Sequence, residues 1–181
     1  VTTESRIACR RLVQHLAEAG FCRLAYIGGP PESLIQHERQ AGFVAGVLQA
    51  GLDLRPEWLV SADFSSDGGY LAAMDLLKMK ERPDALLCIT DETAFGALRA
   101  TQEQGLTPGR EVAVTGFDGV RESRYTNPPL TTLDVPVYEI SRTLVRLLCA
   151  RIKNEQLIEE RIVFPPRLLA RPSSGGQAFT P

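Results

Sequence analysis

The stretch Arg82–Ala100, RPDALLCITDETAFGALRA, decides how the chain is read. Asp84 to Thr90 is a continuous apolar run without polar alternation, the pattern of a strand covered on both faces. Asp91 follows where a helix N-cap belongs, with a carboxylate able to accept from first-turn N–H groups. Ala94, Leu98 and Thr101 then recur at helical spacing, and Gly105 closes the helix as its C′ residue. A buried strand feeding a capped helix through a short turn is half of a βαβ unit. Ligands of open α/β sheets bind at turns of this kind.

The same rhythm extends in both directions. Glu4 to Ala19 places Ala8, Leu12, Leu16 and Ala19 on one helical face, closed by Gly20. Leu24 to Ile27 reads as a short strand, followed by the turn Gly28-Gly29-Pro30-Pro31. Gln36 to Ala50 is helical, with Phe43, Val44, Val47 and Leu48 as its apolar stripe. Glu57 to Ala62 is a weaker strand, and Ser66 or Asp67 caps a helix through Leu71, Met74 and Leu77 that Pro83 has ended. Glu111 to Gly116 (EVAVTG) is another buried parallel strand. The order implies a doubly wound α/β sheet with right-handed crossovers.

Beyond it the alternation breaks. Asn127 to Leu133 (NPPLTTL) is not helical, because each proline forces its predecessor into extended conformations. Val137 to Ile152 is a further helix with Ile140, Leu144, Leu147 and Leu148 as its stripe. Arg161 to Leu169 supplies one or two closing strands, and the tail PSSGGQAFTP from Pro172 reads as flexible.

Bulk numbers narrow the function. A chain of 181 residues, 44% apolar and 23% charged, has the makeup of a globular domain with a sizeable core. Lys plus Arg (20) nearly balance Asp plus Glu (22), so no basic surplus drives nucleic-acid binding by this chain itself. Cys9, Cys22, Cys88 and Cys149 are scattered without a C-x-x-C pair, and are read as reduced, structural side chains of a cytoplasmic protein. No metal site is expected. No apolar segment reaches membrane-spanning length. The start at Val1, close to a helix and without an initiator Met, reads as a piece of something longer.

Catalytic motifs are missing. Gly28-Gly29 lacks G-x-G-x-x-G and a G-K-[ST] ending, and two prolines stand where donors would be needed, so it reads as a plain turn. There is no G-x-S-x-G elbow, and His15 and His37 lie in helical stretches. Asp91 and Asp118 could be imagined as a glycosidase pair, but nothing in the sequence sets their separation. A binding site is better supported. Phe117 and Asp118 follow one strand, Thr90 and Asp91 another, Phe64 a third, and Arg39 lies near the start of a helix. An Arg fork and carboxylates bind adjacent hydroxyls bidentately, while a flat ring covers the apolar face of a sugar or base. Asp91 reads more readily as a helix cap than as a ligand contact, and Phe64 and Phe117 equally as core or pocket. Asp118, on a Gly-flanked turn, is the best candidate for ligand contact.

Five elements in order now suggest a family: RQAG at 39–42, PDALLCITDETAFGALRA at 83–100, VAVTGFDG at 112–119, NPPLTTLDVP at 127–136 and LLARPS at 168–173. Together they resemble the effector-binding region of the LacI/GalR family of bacterial transcriptional regulators, over nearly the whole chain. The resemblance implies a periplasmic-binding-protein-like fold, mainly the second lobe plus one helix of the first. Residues 1–133 would form the second (C-terminal) lobe and 134–160 a crossover and helix belonging to the first lobe. Residues 161–171 would return to the second lobe, leaving 172–181 as a flexible tail.

It also implies ligand roles for Arg39, Asp118 and Phe64, with Thr90 in the cleft, and a homodimer with Phe95, Leu98 and Arg99 near its twofold axis. The effector would be small and hydroxylated, sugar-like or nucleoside-like, with no cofactor and no catalysis. Operator DNA would be met by an N-terminal helix-turn-helix outside this chain. A periplasmic sugar-binding protein of a transporter shares the fold, and a small α/β enzyme is the remaining alternative. Four positions depart from the family pattern. Thr90 replaces a usual Asn, Gly119 a frequent second acid, and Val135 and Val137 a polar residue and an aromatic. These departures count against a common hexose or disaccharide.

Overall fold

The unbroken apolar runs lie at the centre of one sheet, and they are unbroken because helices cover both of its sides. The computed structural model describes residues 1–153 and 161–176. In chain order the elements are β1 (Thr2–Thr3), α1 (Ser5–Glu18), β2 (Leu24–Gly28), α2 (Leu34–Gln49), β3 (Leu59–Ser61), α3 (Ser66–Leu77) and β4 (Ala85–Cys88). They continue as α4 (Asp91–Glu103), β5 (Ala113–Asp118), β6 (Thr131–Asp134), α5 (Val137–Ile152), β7 (Val163–Phe164) and β8 (Arg167–Leu169). The main sheet has strand order β3-β2-β4-β5-β6-β8. Its first five strands are parallel, and β8 returns antiparallel to β6.

Helices α1 and α2 cover one face, where Leu12, Leu16, Phe43 and Val47 meet Tyr26, Leu87, Phe117 and Leu133. Helices α3 and α4 cover the other, where Leu76, Ala94 and Ala97 meet Ile27, Leu86, Cys88 and Val114. Adjacent strand residues such as Leu86 and Leu87 therefore serve opposite cores, as the pleat requires. Each large apolar side chain so buried contributes roughly 1.5–3 kcal/mol. From β2 the chain runs outward to β3 on one side, then crosses to β4, β5 and β6 on the other. The gap between the carboxyl ends of β2 and β4 is thus the topological switch point, where an open sheet holds its ligand.

Several local expectations shift. The cap of α3 is Ser65, whose side chain accepts from Gly68 N–H, rather than Ser66 or Asp67. The cap of α4 is Thr90 rather than Asp91. Leu48 and Leu71, expected on buried stripes, are exposed. The weak strand at 57–62 contracts to β3 behind a 3-10 turn at Pro56–Trp58. Of the four cysteines, Cys9 and Cys88 are buried, but Cys22 and Cys149 face solvent and do no packing.

The tail needs the largest correction. Residues 172–176 are packed rather than flexible, and 177–181 lie outside the described residues. A 3-10 turn at Pro172–Ser174 buries Ser173 and Ser174. Ser173 Oγ donates to Val114 O at 2.5 Å, and Ser174 Oγ lies 2.7 Å from Thr131 Oγ1. The hydroxyls that suggested disorder instead satisfy buried polar groups of β5 and β6. Helix α5 has the predicted bounds yet buries none of its residues, and Tyr138, Leu144, Val145, Leu148 and Ile152 are exposed. Near it, β7 pairs in parallel with β1, apart from the main sheet.

Candidate functional site

Arg39 organises the switch point. It rises from the second turn of α2 and is 6% exposed, so its charge requires partners inside the protein. One terminal nitrogen donates to the backbone oxygen of Ile89, just past β4. The other donates to Asp118 Oδ1 at 3.1 Å. The guanidinium carbon lies over Phe117, 3.4 Å from the ring centroid. Phe117 is 1% exposed, so it is the platform beneath the arginine and not a pocket wall.

Asp118 ends β5 with φ of +121°, a value that L-residues rarely adopt. Regular alternation after Phe117 would send its side chain to the opposite face of the sheet. The positive φ breaks that alternation and lets the carboxylate reach Arg39. About a third of the Asp118 side chain remains open to solvent. Burial raises its pKa above the ordinary value, against the pull of Arg39. Asp118 therefore offers an accessible acceptor beside a fixed cation.

Phe64 and Thr90 complete the rim. Phe64, 40% exposed, lies over the turn after β2, where a Cβ on Gly29 would come within 2.7 Å of its ring. The same position lies 3.2 Å from Ile89 Cδ1, so ring, turn and β4 meet at one place. Thr90 is half-buried, and its hydroxyl accepts from Thr93 N–H at 3.1 Å while pairing with Thr93 Oγ1 at 2.8 Å. It stands at the site, although its oxygen already serves the helix.

Asp91 is misplaced by the sequence reading. It is fully covered and behind the site, with Oδ1 accepting from Thr132 Oγ1 at 2.5 Å and Oδ2 from Val120 N–H at 2.8 Å. Desolvation pushes its pKa up to about 6, against the hydrogen bonds that favour the anion. Having left the cap position by one residue, its side chain turns inward instead of toward solvent.

Gln36 was not anticipated. Its Oε1 accepts from Gly29 N–H at 2.9 Å and from the Tyr26 hydroxyl at 3.1 Å, and its Nε2 donates to Gln40 at 2.8 Å. A donor of the Gly28-Gly29 turn is thus already used, in keeping with a turn and not a phosphate loop. Glutamine is ordinarily a surface residue, so only its position three residues before Arg39 on the same helix face could have hinted at this role.

Burial pushes the Cys9 thiol up to about 12 and Cys88 higher still, so both stay protonated. His15 lies 2.9 Å from Ser174 Oγ at the start of β6, away from the switch point. Among the described residues no group of three His, Cys, Asp or Glu could hold a metal ion. Nor is any described helix long and apolar enough to cross a membrane.

Of the side chains expected at a twofold interface, Phe95 and Arg99 border a hollow of about 370 Å³ between α3 and α4, together with Ser66, Asp67, Tyr70 and Gly96. Leu98 is only 4% exposed and belongs to the core beneath these helices. One turn of helix separates Arg99 from Phe95, but the intervening Leu98 faces the sheet.

A mainly parallel open sheet with an oriented Arg39–Asp118 pair at its switch point is the architecture in which α/β domains hold small ligands. The chain belongs to the periplasmic binding protein-like domain family, whose model matches residues 13–174. The HTH-type transcriptional repressor PurR of Erwinia tasmaniensis is 37% identical over 160 residues, which is 88% of this chain and 47% of that protein. A regulatory protein of the LacI family from Chloroflexus aggregans has a TM-score of 0.90 at 27% identity, covering 97% of this chain and 63% of that one. The lac repressor dimer bound to operator and an anti-inducer has a TM-score of 0.87 at 27% identity, with 95% and 59% covered. These relatives are transcriptional regulators, and they carry the LacI-family likeness read from the motifs. The chain spans about half the length of the curated relatives it matches.

Proposed function

We propose that this chain is the small-molecule effector-binding and dimerisation region of a cytoplasmic, ligand-responsive transcriptional repressor. The observation that carries the reading is the Arg39–Asp118 pair at the switch point. The guanidinium is fixed by Ile89 O, Phe117 and Asp118 before any ligand arrives, while the Asp118 carboxylate stays partly open. Preorganised donors and acceptors of this kind suit neighbouring hydroxyls of a neutral sugar-like or nucleoside-like molecule. Phe64 would cover an apolar face, and Thr90 would border the ligand.

In this reading residues 1–133 form the second lobe of a hinged cleft, and α5 belongs to the first. The exposed apolar side chains of α5 would then be covered by upstream sequence. The α3–α4 hollow with Phe95 and Arg99 would meet a second copy. Effector binding would shift the population of cleft conformations and so the spacing of two helix-turn-helix headpieces on operator DNA. A ~100-fold difference in effector affinity between the two states corresponds to about 2.7 kcal/mol of coupling.

The test is a calorimetric screen of pentoses, hexoses and nucleosides, with Arg39→Ala as control. Saturable heat that vanishes in the variant supports the reading. Turnover of any of them would contradict it. The coding sequence upstream of Val1 separates the classes further: a helix-turn-helix supports a regulator, a signal peptide a transporter component.

A further inference from the structure

Asp91 is a carboxylate in a place where the fold gains nothing obvious from it. It is fully covered, and Gly116 must lack a side chain to admit it, since a Cβ there would lie 2.2 Å from Oδ1. Its acceptors meet Val120 N–H and the Thr132 hydroxyl. Thr132 Oγ1 in turn accepts from Gly119 N–H at 3.3 Å. These contacts converge on the two peptide units that directly follow Asp118.

The turn is held from its far side as well. Ser123 Oγ donates to Val120 O at 2.5 Å, and the buried Arg171 donates to Ser123 Oγ at 2.9 Å and to Leu130 O at 2.8 Å. Within this frame Asp118 keeps its positive φ, a conformation that persists only where the surroundings over-determine it.

We infer that Asp91 is a positioning residue: it never meets the effector, but clamps the Gly119–Val120 turn from behind and thereby fixes the Asp118 carboxylate opposite Arg39. The clamp depends on an acceptor at Asp91 and not on packing in general. Its importance for binding rests on the reading of Asp118 as a ligand contact, whereas the clamp itself is measurable without any ligand.

The experiment is amide hydrogen exchange by NMR on the 181-residue chain, unaltered and as Asp91→Ala, Asp91→Asn and Thr132→Val. Asp91→Ala is expected to speed exchange at Gly119 and Val120 at least ~10-fold, with Ala25 and Leu87 of β2 and β4 unchanged. Asp91→Asn retains protection within ~3-fold, because its amide oxygen accepts from the turn while its NH₂ donates to Thr132. If Asp91→Ala does not fold, Thr132→Val carries the test, with faster exchange expected at Gly119.

Unchanged exchange at Gly119 and Val120 in the folded variants would overturn the clamp. So would an equal rise across the sheet, which is what a merely structural residue would give. Failure of the sugar and nucleoside screen leaves this result standing and removes only its functional meaning.

Discussion

Two strand ends of this molecule each carry an aspartate, and they have opposite fates. After β4, Asp91 is wholly buried and its acceptors are taken by the Thr132 hydroxyl and Val120 N–H. At the end of β5, Asp118 shares one oxygen with Arg39 and remains partly open. Position in the fold is nearly the same for both. What separates them is whether protein donors exhaust the carboxylate, and in the proposed reading that marks one as frame and the other as site.

Arg39→Ala should disturb this contrast most. It strips Asp118 of its counter-charge, orphans Ile89 O and uncovers Phe117. We expect about 3 kcal/mol less stability in urea unfolding, moderated because Asp118 is partly solvated. Effector affinity should fall at least ~100-fold by calorimetry.

The pH dependence of stability comes next. The folded-state pKa of Asp91 is raised from 3.8 to about 6. Between those values the folded chain keeps a proton that the unfolded chain releases, so this group's contribution falls as pH rises through that window. The loss is on the order of 2–3 kcal/mol by neutral pH. Asp118, shifted in the same direction, adds to the slope. Urea midpoints from pH 4 to 7.5 should show a shallower decline in Asp91→Asn, and a variant indistinguishable from the unaltered chain would refute the assignment.

Backbone strain offers a smaller, cleaner probe. Asp118→Gly and Asp118→Ala both remove the carboxylate, but only glycine accepts φ of +121° freely. The glycine variant should be the more stable by about 1–2 kcal/mol, with neither binding effector. Equal stabilities would mean the turn relaxes and Asp118 is not held. Last, Thr90→Ala removes the cap of α4 and should cost about 1 kcal/mol, restored by Thr90→Ser.

Much of the architecture was legible because burial on both faces leaves a signal that local sequence can carry. The runs at 24–27 and 85–88 are apolar without interruption, and the glycines at 20 and 105 end helices at positive φ as their positions suggested. The bounds of α5 followed from its 3.6-residue stripe between Pro136 and a charged end. Arg39 and Asp118 were named as candidates from their places at the helix start and strand end and again through the family likeness, and the structure brings them into contact.

Side-chain direction was the part that failed. A one-residue error in the cap of α4 turned Asp91 from the solvent to the core. Phe117 and Asp118 are neighbours, so alternation places one of them in the core, and no pattern announces the positive φ that rotates the other back to Arg39. Leu98 illustrates the same limit on α4, where its neighbour Arg99 faces out. In the tail, Ser173 and Ser174 looked like linker because the buried partners that need their hydroxyls lie far away in sequence.

The claim on which the rest depends is that Asp118 and Arg39 face the effector. The most direct measurement is an NMR titration of the chain with the pentose, hexose and nucleoside panel, followed at assigned amides and at Arg39 Nε–H. A binding member should shift Arg39, Thr90, Gly119 and the Phe64 region together, and the shifts should disappear in Asp118→Ala. Saturable shifts centred on the Tyr70–Arg99 hollow, or shifts that survive Asp118→Ala, would contradict the account.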